Sequence, residues 1–268
     1  MRKSGIVIAL VAFLTLALAS AALAGPVMDR ILKKGELVVG TAADYPPFNF
    51  KAADGTIMGL DIDLATILAK SINVKLKIEV IPFPKLLDAL NAGKVDLVIS
   101  GVTMTPVRNA KVFFAGPYFI TGQGALMKGE MMQKVRDLTD FNHPEFTVAV
   151  AKGTTGEITA KQLLPKAKIM SVADMDAALK AVLGGKAQVL VTDFPFCVLA
   201  SFRYKADNLA ALQKPFTFEP LGVAVPANDP LLQNMVDNFL GTLEGGGGIN
   251  ELKRRWFKQS GWIKKLPQ

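Results

Sequence analysis

Two stretches decide the fold: Ala89-Leu90-Asn91-Ala92-Gly93-Lys94-Val95-Asp96-Leu97-Val98-Ile99-Ser100 and Ala181-Val182-Leu183-Gly184-Gly185-Lys186-Ala187-Gln188-Val189-Leu190-Val191-Thr192. Each reads as a helix end, a glycine–lysine turn, an apolar strand and a polar residue where the strand stops. Residue identity between them is weak, but the pattern is shared. Outward from the first stretch lie a strand over 36–40, a helix over 60–69, a strand over 75–81 and a helix over 85–91. Around the second lie a strand over 146–150, a helix over 156–164, a strand over 168–171 and a helix over 173–183. A strand over 221–225, a helix over 231–243, a glycine break over 245–248 and a helix over 249–258 complete the chain. Strands alternating with helices predict two similar α/β lobes, each with a mostly parallel sheet. Ligands of such sheets bind beyond the carboxyl ends of the strands. The chemistry is therefore expected where Gly40, Ser100, Lys152 and Asp193 face a shared cleft.

Composition narrows the function classes. Half of the 268 residues are apolar and 20% are charged, enough to bury a core and to exclude a disordered chain. One cysteine excludes an intramolecular disulfide and a multi-cysteine metal site. One histidine excludes any mechanism that needs two. The net charge of +8 is spread along the chain without a block of five Lys or Arg, which argues against nucleic acid as a partner.

The N-terminus is distinct. Arg2 and Lys3 precede an uncharged apolar stretch over 5–19, and Ala22-Leu23-Ala24 forms a small-x-small cleavage site before Gly25. Residues 1–24 thus read as a secretory signal peptide, too short in its apolar part for a membrane span. Its removal leaves 29 basic against 23 acidic residues, a charge of +6. No later stretch approaches the roughly 18 apolar residues of a membrane helix. Cys197, the only cysteine, is far from the cleavage point, so a lipid anchor is not expected. The mature chain is expected to be soluble and periplasmic.

Four motifs carry chemistry, and each has a plain structural reading beside the functional one. Tyr45-Pro46-Pro47-Phe48 fixes aromatic rings near a strand end, as a ligand wall or as core plugs. In Thr103-Met104-Thr105-Pro106-Val107-Arg108, Thr105 suits the N-cap and Pro106 the first helical position. That puts Arg108 in the first turn, against the helix dipole. It serves either as a carboxylate clamp or as a structural ion pair. Lys152-Gly153-Thr154-Thr155-Gly156-Glu157 joins a strand to a helix. It reads as an anion site or simply as a helix capped by Thr154 and Glu157. Asp193 ends an apolar strand, where a carboxylate needs a ligand ammonium or a structural lysine. His143 reads as a solvated loop residue and Cys197 as a small buried group; no Ser/His/Asp arrangement can be assembled.

Together these motifs resemble an extracytoplasmic solute-binding protein of the polar amino-acid family, the periplasmic component of ABC importers. The resemblance spans the mature chain through GTAADYPPF (40–48), GLDIDL (59–64), LVISGVTMTPVR (97–108), Gly116-Pro117-Tyr118-Phe119, KGTTGE (152–157), VTDFP (191–195) and Leu221-Gly222-Val223-Ala224-Val225. It implies a type II periplasmic-binding-protein fold, with hinge crossings near 119–123 and 218–221 and the ligand in the cleft. Lobe 1 is then expected over 25–119 plus 221–268, and lobe 2 over 120–220.

By the same resemblance, Arg108 clamps the ligand α-carboxylate, helped by Thr103 and the Gly101 backbone. Thr154 and Thr155 contact that carboxylate from the other lobe. Asp193 takes the α-ammonium, and Tyr45 and Phe83 flank the side chain. Basic-amino-acid binders carry an acid three places before the first aromatic; here that position is Ala42, and the acid is Asp44. A dehydratase branch of the fold places a catalytic glutamate three residues after the Asp193 position, where this chain has Phe196. Phe194 and Phe196 are expected at the pocket mouth. The expected function is non-enzymatic capture of a free polar amino acid by a monomer, without cofactor or metal, for delivery to an ABC permease. An arogenate- or prephenate-type dehydratase and a sensor docking on a membrane receptor are the alternatives.

Overall fold

Helix α1 (Pro26–Lys34) starts on proline and stops at Gly35, whose φ of 63° a side chain would strain. It opens a computed structural model that describes residues 25–267; the signal segment predicted over 1–24 lies outside the described residues. Strand β1 (Glu36–Thr41) follows, then three very short strands, β2 (Asp44–Tyr45), β3 (Asn49–Lys51) and β4 (Ile57–Met58). Helix α2 (Leu60–Ser71), β5 (Lys75–Val80), α3 (Leu86–Asn91), β6 (Leu97–Thr103), the single turn α4 (Pro106–Asn109) and β7 (Phe113–Thr121) come next. The chain then turns at Gly122 into β8 (Gln123–Lys128). Strands β9 (Thr147–Ala151), β10 (Lys168–Val172) and β11 (Val189–Asp193) alternate with helices α5 (Thr155–Leu163) and α6 (Met175–Leu183). Helix α7 (Phe194–Arg203) and β12 (Leu209–Ala211) precede the return strand β13 (Glu219–Val225). Helices α8 (Pro230–Gly245) and α9 (Gly248–Lys253) follow, so the predicted glycine break narrows to two residues.

The two large sheets repeat one plan, β5-β1-β6-β13-β7 and β10-β9-β11-β8-β12. In each, three parallel strands stand beside a reversed fourth. The reversed strand is the one the chain enters on arriving from the other sheet. The prediction of mostly parallel sheets thus holds in strand direction, with one antiparallel insertion per sheet. Leu97, Val98 and Ile99 of β6 and Val189, Leu190 and Val191 of β11 are fully buried, as central strands covered by helices require. The result is a two-lobed α/β fold.

The two crossing segments touch. Gln123 N donates to Thr217 Oγ1 at 2.8 Å, and a Cβ on Gly122 would stand 2.0 Å from the Thr217 carbonyl oxygen. Glycine is therefore required where the chain passes between lobes.

Two buried acids hold the first lobe. Asp229 Oδ2 accepts from Val27 N and Met28 N, and its Oδ1 from Leu232 N, all at 2.8 Å; it caps α8 and fastens α1 to it. Asp61, in the first turn of α2, is fully buried. It accepts from Asn49 Nδ2 at 2.7 Å and from Tyr118 Oη at 2.8 Å. Burial nevertheless raises its pKa to about 6.

Candidate functional site

The three adjoining parallel strands of each large sheet deliver residues to one cavity at their carboxyl ends. From the first lobe come Asp44 and Tyr45 after β1, Phe83 after β5, Gly101 and Thr103 on β6, and Arg108 on α4. The second lobe gives Lys152, Thr154 and Thr155 after β9, Asp174 and Met175 after β10, and Asp193 at the end of β11. Gln123, first residue of β8, closes the floor.

The first lobe supplies the cation. Thr105 caps α4 by accepting from Arg108 N at 3.3 Å, as the sequence predicts. The half-buried guanidinium reaches back to the Thr103 carbonyl at 3.0 Å and across the cleft to the Gly153 carbonyl at 3.1 Å. The Phe83 ring lies 5.4 Å from Arg108 Cζ, so Phe83 backs the guanidinium by cation–π contact. Burial lowers the Arg108 pKa, against the nearby charges of Glu219 and Asp193. No carboxylate lies within 4 Å of this guanidinium among the described residues.

The second lobe supplies the anion. Asp193 is 7% exposed. Its Oδ2 accepts from Tyr45 Oη across the cleft, and its Oδ1 from Gln123 Nε2 at 2.7 Å. Burial pushes its carboxyl up to about 7; the Tyr45 hydrogen bond pulls it down, Glu219 adds to the rise, and Arg108 and Gln123 oppose it. It has no ion pair among the described residues. Gln123 Nε2 also donates to Thr155 Oγ1 at 3.2 Å, which stands 3.3 Å from Thr103 Oγ1 of the other lobe. Two buried acceptors nearby, Gln123 Oε1 and Glu219 Oε2, have no hydrogen-bond partner among the described residues.

All eight residues singled out in the sequence line this cavity, though not all in the expected way. The Gly101 amide donates to Tyr118 Oη at 3.2 Å, so its N–H is engaged away from an incoming anion. The positive φ of Gly101 instead admits the Tyr45 ring, which would lie 3.2 Å from a Cβ there. The Thr154 hydroxyl is occupied in capping α5, accepting from Glu157 N at 3.2 Å and donating to the Ala151 carbonyl at 2.7 Å. The expected reciprocal capping box is displaced by one residue: the Glu157 carboxylate accepts from Gly153 N at 2.7 Å. Lys161 and Ser171 also bind Glu157 and help bring its pKa to about 2. Phe196 is not at the pocket mouth; it is buried and stacks on Tyr45, ring centroids 5.8 Å apart. Phe48 is a core plug. His143 is exposed, and burial keeps the Cys197 thiol protonated by raising its pKa. Sequence reasoning missed Gln123 and Glu219.

The family of bacterial extracellular solute-binding proteins, family 3, matches residues 37–259. The chain belongs to this family. Within the family, it is 28% identical over 231 residues to the cyclohexadienyl dehydratase of Pseudomonas aeruginosa, covering 86% of each chain. Among solved structures, an ancestral amino acid-binding protein, a precursor of cyclohexadienyl dehydratase, aligns with a TM-score of 0.80 at 40% identity, over 87% of this chain and 100% of that one. A putative binding component of an ABC transporter from Wolinella succinogenes, complexed with lysine, aligns with a TM-score of 0.83 at 35% identity, over 87% and 100%. Most of the related family 3 proteins are named as amino-acid-binding proteins. As a family 3 solute-binding protein, the chain is extracytoplasmic.

Proposed function

We propose that this family 3 protein captures one free α-amino acid in the interlobe cavity, closes on it, and delivers it to an ABC permease as a periplasmic monomer. The observation that carries the reading is the pair Arg108 and Asp193: a cation without a carboxylate and a carboxylate without a cation, facing one cavity. An α-amino acid presents the complementary pair one carbon apart. Its carboxylate meets Arg108 and the Thr155 hydroxyl at the start of α5, and its ammonium meets Asp193. Tyr45 and Phe83 supply the apolar wall. Arg108 and Tyr45 belong to lobe 1 (25–119 plus 221–268), and Thr155 and Asp193 to lobe 2 (120–220). A ligand that touches both therefore favours closure.

The cleft is a binding site and not a catalytic one. Where the resemblance places the acid of a dehydratase, Phe196 is buried against Tyr45 and has no proton to give. Thermal unfolding of ligand-stripped protein tests the reading. A bound α-amino acid at a hundredfold excess over Kd stabilises the fold by about 2.7 kcal/mol. The expected shift vanishes in Arg108→Ala and in Asp193→Ala. No shift with any α-amino acid, together with turnover of arogenate or prephenate, would overturn it in favour of the enzyme.

A further inference from the structure

The charges inside the cavity do not balance for a neutral amino acid. At the rim, Lys152 and Asp174 are exposed and screened by water. Further in stand Asp44, Arg108 and Asp193. The zwitterionic head group satisfies Arg108 and Asp193 and leaves Asp44 over. Glu219, 5% exposed, forms no ion pair among the described residues.

Asp44 is half-buried, and its one hydrogen bond from another residue is a long one, from Met175 N at 3.4 Å. Lys51 and Arg203 line a neighbouring space on its other side, but neither comes within 4 Å of its carboxylate. A carboxylate offers about four acceptor sites, and the Met175 amide reaches one of them. Burial raises the Asp44 pKa, the Met175 amide works against this, and the charges of Asp174 and Asp176 add to it. Independently, the buried Gln123 Oε1 in the same cavity has no donor. Two unfilled acceptors and a surplus negative charge call for a ligand rich in N–H donors that carries a positive charge.

We propose that the captured amino acid has a cationic side chain and that Asp44 receives it. The inference rests on the amino-acid reading above and names the substrate class for it.

Titration calorimetry with arginine, its neutral isostere citrulline, lysine and glutamine tests this on the ligand-stripped chain, wild type and Asp44→Asn. A charge-assisted contact is worth about tenfold or more in affinity. Arginine or lysine is expected to bind at least that much more tightly than citrulline and glutamine. Asp44→Asn is expected to erase this ratio by weakening arginine and lysine binding. Citrulline or glutamine binding as tightly as arginine overturns the inference and leaves the amino-acid reading standing. An unchanged ratio in Asp44→Asn overturns the role of Asp44. Binding of none of the four, with no response to any other α-amino acid, overturns the amino-acid reading itself. Should Asp44→Asn fail to fold, the wild-type arginine-to-citrulline ratio still decides the charge class, and Asp44→Glu tests the position.

Discussion

The Tyr45 phenol donates to the Asp193 carboxylate across the cleft, joining residues 148 positions apart. This bond and the one from Gln123 occupy both carboxylate oxygens, yet burial still holds the Asp193 pKa near 7. The folded state therefore binds a proton that the unfolded chain, at 3.8, releases. Between about pH 4 and 7 the folded state carries more protons, so stability falls as pH rises through that window. The full effect is on the order of 4 kcal/mol at most, and Asp61, at about 6, acts in the same direction. Chemical denaturation of the ligand-free protein at pH 5 and pH 8 is expected to show the higher midpoint at pH 5. Asp193→Asn is expected to reduce the difference.

Ligand binding carries the opposite dependence. An ammonium needs Asp193 ionised, so capture releases a proton below about pH 7. Affinity is expected to rise from pH 5 to 7 and level off above. Calorimetry in buffers of different ionisation enthalpy reads the released proton directly. A pH-independent Kd in this range would remove Asp193 as the ammonium acceptor.

Arg108→Lys keeps the charge but loses the planar fork and the contact with the Phe83 ring. Affinity is expected to drop by about 10- to 100-fold, with an unfolding midpoint close to wild type. An unchanged Kd shows that a point charge suffices and that the guanidinium geometry is not used.

Gly153 has φ +78°, and a Cβ there would approach Pro84 Cβ of the other lobe at 3.2 Å. Gly153→Ala adds left-handed strain of about 1–2 kcal/mol in any state of the protein. Pro84 stands across the cleft from Gly153, so the added methyl is expected to oppose closure. The expected result is a lowered unfolding midpoint and, separately, a Kd weakened by about tenfold, or 1.4 kcal/mol. A lowered midpoint with an unchanged Kd would show that this approach does not limit closure.

Asp229→Ala removes three backbone hydrogen bonds from one buried carboxylate. A loss of about 2–4 kcal/mol is expected, with ligand affinity unaltered because Asp229 lies outside the cavity. Urea denaturation and calorimetry on the same sample separate the two.

The parts of the fold readable in sequence were those with strong periodicity. Leu97 to Ile99 and Val189 to Val191 are apolar without interruption because helices cover both faces. Strands β2, β3 and β4 are two or three residues long, below any periodic signal. In β7, Gly116-Pro117 interrupts the alternation. Among site residues, Arg108 stood out because a cation opposes the dipole of its own helix, and Asp193 because it ends an apolar strand. Gln123 gave no such sign. Its partners Thr155 and Asp193 are 32 and 70 residues away, and a glutamine opening a strand is locally unremarkable. Asp61 suited the start of a helix so well that nothing local marked it as buried.

Strand β13 lies between β6 and β7, paired with both. During synthesis the first sheet therefore stays open at its centre until residues 219–225 emerge, while residues 123–211 already hold every strand of the second sheet. The order of emergence favours the second sheet forming first. The first must wait for a strand that arrives roughly a hundred residues late, a loop closure whose entropic cost grows only slowly with length. Until then β6 and β7 expose unpaired edges, which makes the half-made chain more prone to aggregation than the finished protein.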